Sequence, residues 1–99
     1  MENTSIWVRG IKNGRIAKQV TVPATFEDPV EPLREALKEL DLSAPLWLNK
    51  NQQEWENFSQ TRFYPQDFVD SLPFDRLEVE YINPKASKRK SQDPRNAVD

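Results

Sequence analysis

Any chemistry in this chain would have to run on carboxylates. It holds no cysteine and no histidine, so thiolate zinc sites, disulfides, Cys-His or Ser-His dyads and histidine pH switches are excluded. Glu54, Glu56, Asp67, Asp70 and Asp75 fall in the second half, where paired carboxylates would serve acid–base work or bind a hard cation. Their spacing fits no EF-hand loop, and a chain with two glycines has no Gly-rich cradle for phosphate. Helix caps, turns and solubilising charge are the ordinary fate of such residues. An enzyme is therefore not expected, nor a metal or other cofactor.

Two further groups draw attention. Trp55, Phe58, Phe63, Tyr64, Phe68 and Phe74 are bulky enough to line a pocket, but a small domain needs them first to close the open end of its core. Arg62, among them, is placed to stack on a ring or to pair with Asp67 or Asp70. The second group is charged. Residues 1–82 carry 9 Lys/Arg against 14 Asp/Glu, a net −5, while residues 83–99 carry 5 against 2, a net +3. Lys85, Lys88, Arg89 and Lys90 are candidate contacts to a polyanion. They lack interleaved aromatics for stacking on bases, and the acidic body would repel nucleic acid.

The elements that position these residues follow from periodicity. Arg76 to Ile82 alternates Leu77, Val79 and Tyr81 with Glu78 and Glu80, the mark of a strand with one wet and one dry face. Ser5 to Ile11 and Arg15 to Val22 flank Asn13-Gly14, a hairpin signal with two competing registers. A two-residue turn pairs Lys12 with Arg15. A three-residue loop with a bulge at Gly14 pairs Ile11 with Arg15 and gathers Ile6, Val8, Ile16, Val20 and Val22 on one face. The second pattern segregates better and is the one expected. It leaves Trp7 and Ile11 on the outer face.

Asp28 and Glu31 suit a helix start, and Val30, Leu33, Leu37 and Leu40 recur at helical spacing opposite a charged face. Leu46-Trp47-Leu48 reads as a short third strand with Trp47 outward. Asn51 and Glu54 suggest the cap of a short helix through Gln60, and Pro65 a single helical turn. From Asn83 onward the composition is polar and basic, too poor in apolar area to offset ordering entropy. Residues 1–82 are thus expected to form one domain, and residues 83–99 a disordered basic tail.

The Lys12-Asn13-Gly14 turn, the Val30/Leu33/Leu37/Leu40 helix, Leu46-Trp47-Leu48 and Leu77-Val79-Tyr81 together resemble the β-grasp topology of ubiquitin-like domains. The resemblance implies an α+β roll, ββαβ(α)β, with a mixed four-stranded sheet packed on one main helix and the last strand beside the first. Conjugated ubiquitin-like modifiers end in Gly-Gly after that strand. Here the only glycines are Gly10 and Gly14, so the role of a conjugated tag is not implied.

The expected function is a non-enzymatic interaction module that docks a partner protein, or itself, through its open sheet face at Trp7, Ile11 and Trp47. The alternative is a nucleic-acid-binding accessory protein using the basic tail. No apolar run is long enough to span a membrane, and a cytoplasmic location is the default.

Overall fold

The computed structural model describes residues 3–84. Strands β1 (Ser5–Lys12) and β2 (Arg15–Pro23) form a hairpin, and helix α1 (Val30–Glu39) follows. Helix α2 (Asn49–Phe58) leads directly into the four-residue strand β3 (Gln60–Phe63); a single 3-10 turn (Pro65–Asp67) and strand β4 (Arg76–Ile82) complete the fold. The sheet order is β2-β1-β4-β3, and every neighbouring pair is antiparallel. The last strand does lie beside the first. The sheet is antiparallel rather than mixed, because β4 runs against β1 from Ser5–Ile82 to Ile11–Arg76.

The hairpin keeps the two-residue turn and reaches the expected core face by a register that neither expectation contained. Asn13 and Gly14 both adopt positive φ, 56° and 76°, and close a two-residue turn with Lys12 opposite Arg15. That twist matches the flanking strands, so the three-residue loop does not form. Continued unchanged, this register would mix polar and apolar residues on each face. It does not continue. Ile11 pairs with Ile16 but Gly10 pairs with Lys18, so Ala17 is an extra residue on β2. Beyond this bulge Val8 faces Val20 and Ile6 faces Val22, restoring the segregated pattern. Ile16, on the turn side of the bulge, is exposed instead of joining that face.

Both helices cover the same side of the sheet. α1 packs on β1 and β2, α2 packs beside β3, and Leu33, Ala36, Leu37 and Trp55 join Ile6, Val8, Val22, Phe63, Leu77 and Val79 in one core. Pro29 rather than Asp28 stands at the N-cap of α1, with no side-chain cap bond. The helix ends in a Schellman arrangement. Asp41, at φ 61°, donates its N–H to the Lys38 carbonyl, and the Leu42 N–H reaches the Leu37 carbonyl.

Leu46-Trp47-Leu48 is not a strand. It is an irregular lead-in to α2, and the edge of β4 is taken by β3, whose Thr61 and Phe63 alternate inward. Consequently Leu46 and Leu48 face solvent and Trp47 turns in, at 5.8 Å from Trp55 and 5.9 Å from Phe63. The aromatic residues do close the core around Trp55, which is fully buried, stacks on Phe26 at 5.6 Å and donates its indole N–H to the Phe26 carbonyl. Phe63, Phe68 and Phe74 are buried too, whereas Phe58 and Tyr64 stay exposed. A Cβ at Gly10 would overlap the Phe74 ring, so glycine is what lets the last loop lie flat on β1. No described helix is long and apolar enough to cross a membrane.

Candidate functional site

Strand alternation puts Trp7 and Arg9 of β1, Arg62 of β3, and Arg76, Glu78 and Glu80 of β4 on the side of the sheet away from both helices. The sequence could not show which of these would meet. Register decides it, since Arg9 pairs with Glu78, Trp7 with Glu80 and Arg62 with Glu78. Cross-strand neighbours on one face lie close enough for their side chains to bond.

Glu78 is the hub. Its Oε1 accepts from Arg9 Nε at 2.8 Å and its Oε2 from Arg76 Nε at 2.7 Å, while Arg62 Nε stands 3.6 Å from Oε2. Arg9 also reaches Glu80 Oε1 through Nη1 at 3.1 Å. Burial by itself would raise the Glu78 carboxyl pKa. Hydrogen bonds from Arg76 and Arg9 outweigh it and hold the group below its ordinary range. The Arg9 guanidinium lies 4.2 Å from the centre of the Trp7 ring, and the Trp7 indole N–H donates to Gln19 at 2.8 Å. Trp7 and Arg9 are thereby held in place.

Of the two residues expected beside Trp7 in an apolar patch, Ile11 lies on that side of β1 by alternation, opposite Ile16 and Arg76, but is covered there and only 5% exposed, and Trp47 is not on that side at all. Trp47 packs against the core under the helices, on the opposite side of the sheet, and bonds Gln52. An inward Trp47 follows from the loss of the expected third strand, which would have fixed alternation there. What the open face exposes is therefore charge and one tryptophan rather than an apolar patch. Lys85, Lys88, Arg89 and Lys90 lie outside the described residues.

Asp67, Asp75 and Glu54 of the second half bond within the fold. Asp67 accepts the Tyr64 N–H at 2.8 Å and pairs with Lys50 at 3.6 Å, and Asp75 accepts the Asn13 N–H at 2.8 Å. Arg62 accordingly pairs with Glu78, and neither Asp67 nor Asp70 is its partner. Glu54 ends a relay between α2 and β3. Asn51 Nδ2 donates to Thr61 Oγ1 at 2.9 Å, and the Thr61 hydroxyl donates to Glu54 Oε1 at 2.6 Å. Beside it lies an open cleft of about 280 Å³ lined by Glu54, Phe58, Gln60, Thr61, Arg62 and Tyr64. Among the described residues no three of the metal-ligating side chains His, Cys, Asp or Glu converge as a metal site would need. No protein-family model, curated protein or solved structure matches the chain.

Proposed function

We propose that the protein is a non-enzymatic, cytoplasmic interaction module that docks a partner protein through the open sheet face, centred on Trp7 and Arg9. The observation that carries this reading is the Arg9 guanidinium stacked on the Trp7 ring in the middle of the sheet. Trp and Arg are the side chains most enriched at binding hot spots. Here both stand on a central strand, oriented by Gln19, Glu78 and Glu80, so little side-chain freedom remains to be lost on binding. Neither helix competes for this face, because both are committed to the core. The ubiquitin-like reading enters only as a hairpin with a returning last strand at its side.

Affinity capture from the source cell tests the proposal with three baits: the wild-type chain, Trp7→Ser, and Val69→Ser as an exposed control elsewhere. Proteins retained by wild type and Val69→Ser should be missing from Trp7→Ser while its circular dichroism stays native. An identical set of proteins on Trp7→Ser rules out docking through this face.

A further inference from the structure

Charge on the open face is arranged unevenly. Three guanidinium groups stand around the carboxylates of Glu78 and Glu80, with Asp75 adding a weaker negative field at Arg76, so this patch is far less acidic than the body that carries it, residues 1–82 summing to −5. Depth sorts the members. Arg9 and Glu78 form the floor, with side chains 13% and 12% exposed, and Arg62 and Arg76 stand above them at 53% and 37%. Both upper arginines address the same oxygen, Glu78 Oε2, and both do so through Nε. Their terminal Nη groups make no further bond among the described residues. Two cations thus share one carboxylate oxygen.

From this we infer that the docking face takes an extended acidic segment of a partner protein, with a partner carboxylate seated between Arg62 and Arg76 and the chain lying across Trp7. The inference rests on the docking reading and adds the chemistry of the partner. A carboxylate fits the free edges of two guanidinium groups, each of which offers paired N–H donors. It would bring an anion directly onto the two groups, where Glu78 Oε2 is the one carboxylate oxygen in contact with both among the described residues. A partner's carboxylate is favoured over a nucleic-acid backbone for two reasons. The acidic body, with Glu80 37% exposed beside the site, opposes a long run of phosphates along its whole length but a short acidic stretch only locally. The single tryptophan also offers one ledge, where a nucleic-acid strand needs a series of stacking platforms.

The test uses the full chain, a short poly-glutamate peptide, a matched poly-glutamine peptide and a short poly-uridine RNA. Binding is followed in ¹H–¹⁵N spectra at the Arg Nε–Hε and Trp7 indole signals. Poly-glutamate should shift the Arg62, Arg76 and Trp7 signals saturably and more weakly as salt rises, with poly-glutamine silent. The double variant Arg62→Gln/Arg76→Gln should bind poly-glutamate about tenfold less tightly or worse, with its remaining amide spectrum unchanged. No saturable shift, equal binding by the double variant, or tighter binding of poly-uridine than of poly-glutamate overturns the inference. The two proposals can fail separately. If the double variant still captures the partners that Trp7→Ser loses, docking stands and the acidic partner falls. If Trp7→Ser captures every wild-type partner, the docking reading itself has failed.

Discussion

Replacing Asn51 with alanine should lower stability by about 2–4 kcal/mol, a large share of the roughly 5–15 kcal/mol that small domains have in total. Asn51 is fully buried in the first turn of α2 and uses both ends of its amide. Its Oδ1 accepts the Leu48 N–H at 2.9 Å, and its Nδ2 donates to Thr61 Oγ1 at 2.9 Å and to the Arg62 carbonyl at 3.3 Å. Water can take over at Leu48, which is exposed, so that bond costs about 0.5–1 kcal/mol. Thr61 is buried and lies against β4, so its lost donor and the cavity left by the amide contribute the rest. Urea unfolding gives the measurement. With a slope of about 1–1.5 kcal/mol per molar for a domain of this size, the midpoint should fall by about 2 M.

Thr61→Val keeps the shape at the neighbouring position and deletes the hydroxyl, so the two changes form a double-mutant cycle. Because Thr61 both accepts from Asn51 and donates to Glu54, the pair should couple by about 1 kcal/mol. A stability within about 0.5 kcal/mol of wild type for Asn51→Ala, or strict additivity in the cycle, refutes the claim that this relay pins α2 to β3.

Two other changes test the local chemistry. Asp41→Gly should stabilise the domain by about 0.5–1 kcal/mol, read as a rise in the thermal midpoint, because Asp41 holds a left-handed φ of 61° where glycine pays no steric penalty. Glu78→Gln should flatten the acid limb of the stability curve. The folded Glu78 carboxyl titrates below its ordinary range, so its contribution is complete above the unfolded value, about pH 4.3, and is lost as pH falls through the lower folded value. Equal steepness of the two acid limbs would show that the arginines do not stabilise the ionised form.

What could be read from the sequence was whatever depended on local period. β4 occupies the residues its alternation marks out, α1 lies within its apolar stripe, and the 3-10 turn sits at Pro65. The failures came where a tertiary partner decides the outcome. Gln60-Thr61-Arg62-Phe63 alternates too, but four residues are too few to stand out beside Leu46-Trp47-Leu48, and only the free edge of β4 selects between them. The helix before it starts at Asn49, so Asn51 bonds back to Leu48 from inside the first turn instead of opening the helix.

The site shows the same division. Outward placement of Trp7 follows from parity within one strand. The meeting of Arg9, Glu78 and Arg62 needs the pairing of β1 with β4 and of β4 with β3, which no window of the sequence contains. Likewise, the bulge at Ala17 has no marker residue. It exists because the favoured Asn-Gly turn and the favoured core face disagree by one position.

The central pair of the sheet joins Ser5 to Ile82, the two ends of the described fold. During synthesis the amino-terminal hairpin can close within microseconds, but the inner edge of β1 must wait for almost the whole domain to emerge. Through that interval a row of unsatisfied amides is open to strands of other nascent chains. A brief kinetic vulnerability, and a folding rate governed by one distant encounter, are therefore written into the order of the strands.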